Sequence, residues 1–282
     1  MVLSQEKLKG GLLPLPADPR DFQLGWVVKL PALEELPAEF VLEGYDIKNQ
    51  GATDFCAAFA AVGVSELQEN VKLSPEWQFA KAKQLVGSLE GWGLTLREVV
   101  KSLVRFGSIE KAHAPYEVGE KERDFLADWQ NWPAELDTKA TAHKKQSYFA
   151  VTGPYDAFDN IRASIYHYRE KKRAVLLGLM WGYDLQTNHL NWITEFGFGH
   201  ALYAVGWKVI EREPAIVLVN SYGREVGDNG VHYISRRVMN RWAKEFGIYM
   251  FIDEKPEKAK KNWGIRANLY NLWMKVQGFF TL

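Results

Sequence analysis

The 282 residues contain one cysteine, in the stretch "YDIKNQGATDFCAAFAAVG". Cys56 falls just after a turn, at the front of an alanine-rich helical pattern. The aligned peptide dipoles of a helix N-terminus favour an anion there. Because a thiol attacks only as thiolate, that position suits a nucleophile; the alternative is a small buried filler. Far downstream, "GFGHALYAVGWKVIEREPAIVLVNSYG" reads as two strands joined by a polar, proline-containing connection near residues 210 to 214. In an antiparallel hairpin centred there, His200 and Asn220 are about equally far from the turn and meet at the open end of the ladder. An imidazole that takes a proton from a thiol needs its other ring nitrogen held by an acceptor, and an asparagine carbonyl serves. Taken alone, the same pair also reads as a core histidine at a strand start beside a turn asparagine.

The elements that must position these groups are visible in the periodicity. From Ala57 to about Val71, Ala60, Val64 and Leu67 recur at helical spacing, with Thr53 or Asp54 as N-cap. "LSPEWQFAKAKQLVG" predicts a helix capped by Ser74 with Pro75 in its first turn. "LTLREVVKSLVRFG" predicts another, closed by Gly107, and "YDAFDNIRASIYHYREKK" a fourth. After residue 174 the pattern changes to strands: "AVLLGLMW", "HALYAVGWKVI", "AIVLVNSYG", "GVHYISRRV" and "GIYMFID". Helices first and strands later predict an α+β chain of two lobes with a cleft between them.

Composition narrows the function. Apolar residues make up 47% and charged residues 25%, ordinary globular usage that buries a core without staples. Lys plus Arg equals Asp plus Glu at 35 each, so no bulk field draws nucleic acid or anionic lipid. A single cysteine excludes an intramolecular disulfide framework and a cysteine-based zinc cluster. His113, His143, His167, His189 and His232 show no metal-ligand spacing and read as surface or structural. The N-terminus lacks the apolar run of a signal peptide and no stretch approaches a membrane span. The expectation is a cytoplasmic or virus-associated protein, not a secreted one.

Together the motifs resemble the papain family of cysteine peptidases. "NQGATDFCAAFA" is similar to the family's Asn-Gln-Gly…Cys…Ala-Phe segment, with the same six-residue step from Gln50 to Cys56. "GHALYAVGW" resembles the histidine strand, "VNSYGREVGDNGVHYI" the Asn-Ser-Trp-Gly segment, and "LTLREVVKSLVRFGSIEKAHAPYE" the helix and Pro-Tyr turn of the first lobe. "DPRDF" and the absence of disulfides resemble the bacterial, archaeal and viral branch. The resemblance implies Cys56 as nucleophile, His200 as general base and then acid, and Asn220 as the residue orienting the imidazole. Gln50 and the Cys56 backbone N–H would form the oxyanion hole. It further implies a helical lobe and a β-barrel-like lobe flanking the cleft. The reaction would be peptide hydrolysis through a thioester, without a cofactor.

Departures from the family pattern matter too. Asp54 and Phe55 replace small residues before the nucleophile. Asp54 caps the helix in this reading, yet its charge opposes the thiolate; Phe55 crowds the cleft or reshapes its wall. Tyr222 stands where the family has a tryptophan over the Asn–His bond. Gly93, in "EGWGLT", is a candidate for backbone pairing with substrate, and Gly199 offers no charge for selecting a side chain. The 49 residues before Gln50 lack an amphipathic helix, so no inhibitory domain of the long helical type is expected. Instead, Leu12–Phe22 belts the two lobes or lies near the cleft as a short plug.

The organisation expected is an extended segment at 1–44, a catalytic domain at 45–253 (helical lobe about 45–150, β lobe about 151–253), and an amphipathic extension at 254–282. In that extension Leu269, Leu272 or Trp273, Val276, and Phe279 or Phe280 fall at helical spacing. Its aromatic face docks on the protein's own body, or on another subunit, an assembly or a membrane surface. The expected partner is a peptide or protein substrate. Two rivals share the fold: an acyltransferase or amidase using the same groups, and a degenerate member kept as a binding or structural subunit.

Overall fold

The computed structural model describes residues 10–15, 18, 21–87, 93–113, 133–181 and 197–252; the C-terminal extension, Trp92 and His189 lie outside them. After short helical turns at Leu24–Val27 and Leu33–Glu35, three longer helices follow: α1 (Cys56–Glu69), α2 (Pro75–Val86) and α3 (Leu96–Arg105). Ser74 caps α2 by accepting the Trp77 N–H, with Pro75 in the first turn and Gly87 ending the helix at φ +76°. Thr95 and Glu98 form a capping box at α3. At α1 neither Thr53 nor Asp54 is the cap. Phe55 holds that position and supplies no side-chain hydrogen bond. Its ring turns inward and stacks on Phe79 of α2 at 3.8 Å, so it fills the helical core and does not crowd a cleft.

Two further helices, α4 (Ala134–Ala140) and α5 (Ala157–His167), precede the last, α6 (Arg236–Phe246). The α6 helix departs from the strand expected across "GVHYISRRV". Ser235 accepts the Val238 N–H and starts a helix that buries Val238, Met239, Trp242 and Phe246, the spacing of one helical face.

The strands are β1 (Phe40–Val41), β2 (Ser147–Ala150), β3 (Val175–Trp181), β4 (Phe198–Ile210), β5 (Glu213–Val219), β6 (Val231–Ser235) and β7 (Ile248–Ile252). They form one antiparallel sheet in the order β2-β7-β3-β4-β5-β6, with β1 added along β4. The sheet does not close into a barrel, since β2 and β6 remain edges among the described residues. Glu211 and Arg212, at φ +51° and +72°, make the tight β4–β5 turn flanked by the Ile210–Glu213 pair. α1 packs against β4, and a virtual Cβ on Gly63 would lie 2.6 Å from the Tyr203 ring, so glycine is what lets helix and strand approach. No helix among the described residues is long and apolar enough to cross a membrane.

One irregularity positions the site. The β4–β5 register shifts between Ala204 and Gly206, leaving Val205 as an extra residue. From the turn to Gly206–Val217 the pairing runs in one parity; beyond the bulge Ala204 faces Leu218 and Tyr203 faces Val219. Carried one step further, this register sets Asn220 against Leu202, on the face that also holds His200. Without the bulge Asn220 would oppose Tyr203 and point to the other face. β1 secures the bulge: Leu42 donates its N–H to the Val205 carbonyl, and Gly206 passes so close to Phe40 that a Cβ would lie 2.0 Å from its carbonyl oxygen.

Candidate active site

Cys56 is the first residue of α1 and has no exposed surface. His200, on β4, is equally buried, and its Nε2 lies 2.8 Å from Asn220 Oδ1. The backbone of Ala201, next to His200, lies near enough to the Cys56 sulfur to favour its thiolate, so the helix start and the histidine strand meet at this point. Gln50 is pinned by the second half of the chain. Its N–H donates to the Ser221 carbonyl at 2.7 Å, its Oε1 accepts the Ser221 hydroxyl at 2.6 Å, and its Nε2 donates to Thr53 O at 2.6 Å. Cys56, His200, Asn220 and Gln50, drawn from three separate stretches of sequence, thus share one locus.

The thiol and the imidazole are not hydrogen-bonded to each other. The sulfur accepts the Gly11 backbone N–H at 3.3 Å. The Tyr222 hydroxyl lies 3.0 Å from His200 Nδ1, its ring stacked on the imidazole with centroids 4.4 Å apart. Since Nε2 donates to an amide oxygen, Nδ1 of the neutral ring is the acceptor and Tyr222 the donor. Tyr222 is therefore buried over the imidazole, with Trp181 edge-on to both rings.

Burial sets the charge states. It pushes the Cys56 thiol up to about 11, against the pull of the Gly11, Ala201 and Ala57 backbone groups and with a smaller push from Asp54. Burial likewise pushes His200 down to about 3, opposed by the Asn220 hydrogen bond and aided by His232. Thiol and imidazole are both neutral at ordinary pH in this arrangement.

The chain's own N-terminal segment covers part of this site, Gly11 at the sulfur and Leu12 at the residue before His200. Leu12 donates its N–H to the Gly199 carbonyl, Leu13 donates to the Leu94 carbonyl, and Leu94 donates back to Gly11 O, at 3.1, 2.9 and 2.7 Å. Residues 11–13 therefore lie as an extended strap between α3's leading loop and β4, paired on both sides and parallel to the chain at Leu94. Glycines make the passage: a Cβ would lie 1.9 Å from Asp54 O at Gly11, 2.1 Å from Leu12 O at Gly199, and 2.7 Å from the Leu13 side chain at Gly93. The backbone pairing belongs to Leu94, next to Gly93. The Leu12 side chain is buried beside Gly178, where Phe246 also packs. Further along, Asp21 accepts from Arg97 of α3 (3.1 and 2.8 Å), Tyr249 of β7 (3.2 Å) and Tyr148 of β2 (3.4 Å). The segment is both the belt and the plug that the sequence offered as alternatives.

His232, read from sequence as surface or structural, stands inside this network. Its Nε2 lies 3.0 Å from Asn220 Nδ2. Pairing of β5 with β6 sets Leu218 opposite His232, on the same face as Asn220. The long connection between Val219 and Val231 hides that register from the sequence. Among the described residues no acidic, histidine and cysteine cluster is arranged to hold a metal ion. A groove of about 1260 Å³ lined by Trp26, Lys29, Tyr155 and His167 shares no residue with the site.

Xylellain, a cysteine protease from Xylella fastidiosa, matches with a TM-score of 0.70 at 16% identity, over 87% of this chain and 96% of that one. The fold is that of the papain-like cysteine proteases. The bromelain protease from Ananas comosus shares the papain-like fold with a TM-score of 0.56 at 16% identity, over 76% of this chain and 98% of that one. Procathepsin L 3 of the Tenebrio molitor larval midgut does so at 0.59 and 15%, over 82% and 75%. In sequence, the viral cathepsin of Heliothis zea nuclear polyhedrosis virus is 25% identical over 198 residues, 68% of this chain and 49% of the relative. The chain thus spans about half the length of that curated relative. No family model matches it.

Proposed function

We propose that this chain is a cysteine endopeptidase, held latent by its own N-terminal segment. The observation that carries the reading is the placement of the lone thiol at the start of α1, against the strand of an Asn220-held imidazole, on a papain-like fold. With the strap withdrawn, the desolvation that keeps both groups neutral is lifted, and the α1 N-terminus favours the thiolate. His200 Nδ1, released from the Tyr222 hydroxyl, takes the Cys56 proton as sulfur attacks a peptide carbonyl. The oxyanion is met by the Cys56 N–H and the Gln50 amide. The imidazolium then gives its proton to the leaving amine, and water, activated by the same imidazole, cleaves the thioester and restores the thiol. In this reading substrate takes the strap's place, backbone to Leu94 and Gly199, with an aliphatic side chain where Leu12 lies. One cysteine leaves no disulfide to protect, which fits a reducing, intracellular compartment.

The test is hydrolysis of a broad peptide library together with an epoxysuccinyl probe read by intact mass. Both are applied to the native chain and to a Gly11→Val variant, with Cys56→Ala and His200→Ala as controls. Cleavage and a single adduct that vanish with Cys56→Ala support the proposal. An adduct without library cleavage points to an acyltransferase or amidase. Labelling no faster than a free cysteine peptide in either form overturns it.

A further inference from the structure

We infer that His232 is a positioning residue of this site, holding the NH₂ end of the Asn220 amide while the Ser221 N–H holds the other, so that the carbonyl stays turned to His200. The inference rests on the reading of His200 as the base. The Ser221 backbone N–H, which can only donate, lies 2.7 Å from one end of the Asn220 amide, and that end is therefore Oδ1. The same oxygen receives His200 Nε2–H. The NH₂ end then faces His232 Nε2 at 3.0 Å. An NH₂ can only donate, so His232 Nε2 must be bare, with the ring proton on Nδ1. A proton on Nε2, from the other tautomer or from acid, sets donor against donor. Turning the amide over only moves that conflict to Ser221 N–H and His200 Nε2–H.

The surroundings keep His232 in the required form. Trp181 of β3 stands at right angles to its ring with centroids 4.7 Å apart, and Leu218 of β5 lies opposite. Asp228, in the turn before β6, is the charged group that favours the imidazolium; burial outweighs it and pushes His232 down to about 4. Tyr233, the next titratable neighbour, spends its hydroxyl on Asp228. His200 faces His232 only across the Asn220 amide. The chain His232–Asn220–His200, together with the Ser221 N–H, thus fixes which nitrogen of the base is bare. Without that, His200 Nδ1 is not committed to accepting the thiol proton.

Long-range proton–nitrogen NMR of the full chain, with labelled histidine, tests this directly. His232 should carry its proton on Nδ1 and His200 on Nε2; finding His232 protonated on Nε2 overturns the inference without any variant. In His232→Leu, at a melting point close to the native one, His200 should sample both tautomers; in His232→Gln, whose amide oxygen can accept, it should keep one. Probe labelling of Cys56 in the Gly11→Val background should fall about tenfold in the Leu variant, the worth of one hydrogen bond, and recover in the Gln variant. A single His200 tautomer in the Leu variant, or Leu and Gln variants behaving alike, refutes it. Should Cys56 prove inert throughout while the tautomers respond as stated, the positioning role stands and the peptidase reading fails.

Discussion

Gly11 donates its backbone N–H to the Cys56 sulfur across 3.3 Å, from a segment 45 residues upstream. The contact engages the thiol with the strap, and it is available only to a residue without a side chain. A Cβ there would sit 1.9 Å from the Asp54 carbonyl oxygen, inside any allowed contact.

Gly11→Val should therefore lift the strap from the sulfur while leaving the folded core intact. Labelling of Cys56 by the epoxysuccinyl probe is expected to rise by about tenfold or more, the equivalent of a little over 1 kcal/mol of lost closure. A Gly11→Val protein that labels at the native rate would mean that the strap does not limit access to the thiol.

The buried groups give the closed form a pH window. His200 and His232 are held at about 3 and 4 against an ordinary 6.5, so an opened chain binds more protons than the closed one in that interval. Their contribution to the closed form is present above 6.5 and lost as the pH falls toward 3. Cys56 works in the opposite sense: raised from 9.0 to about 11, it favours the closed form below 9 and ceases to as the pH rises toward 11. The melting midpoint should be flat between about pH 6.5 and 9 and decline on both sides. Replacing His200 by Gln should flatten the acid limb; an unchanged limb would assign it to other groups.

The strap is anchored where Asp21 meets Arg97, with Tyr148 and Tyr249 as further donors. Removing one partner of a buried pair leaves an uncompensated charge and costs about 3–5 kcal/mol. Arg97→Leu should lower the urea midpoint accordingly and speed protease nicking before residue 21. Loss of stability without faster nicking would separate the anchor from the strap.

Tyr222→Phe removes the hydroxyl that occupies His200 Nδ1 while keeping the ring that stacks on the imidazole. In the Gly11→Val background, labelling should rise about threefold or more, since the base no longer exchanges one partner for another. A fall would show that the hydroxyl assists proton transfer.

Much of the site was readable before any fold existed. The position of Cys56 at a helix start follows from a local pattern of small apolar residues, and the alternation on either side of residues 210 to 214 announces a hairpin with His200 and Asn220 at its open end. Local periodicity and turn chemistry suffice for such statements because they concern neighbours in the chain. Arg236, Arg237 and Val238, by contrast, look like strand and open a helix capped by Ser235, the last residue of β6. There the apolar spacing of Val238, Met239 and Trp242 against the core decides between two plausible local states.

What the sequence determined by itself is the chemistry on offer: one thiol, one helix dipole, an imidazole with an amide acceptor, and an α+β order of elements. What the tertiary structure alone decided is whether and how those groups meet. The bulge at Val205 puts Asn220 on the His200 face, and it is held by β1, which lies far away in sequence. His232 enters through a strand register set after an irregular connection. The two glycines of "GG" at residues 10 and 11 have no signature of their own, and become a closed door only where Asp54, Phe198 and Gly199 crowd them. Burial is a property of the assembled molecule, so charge state, access and restraint are written in packing that no window of sequence contains.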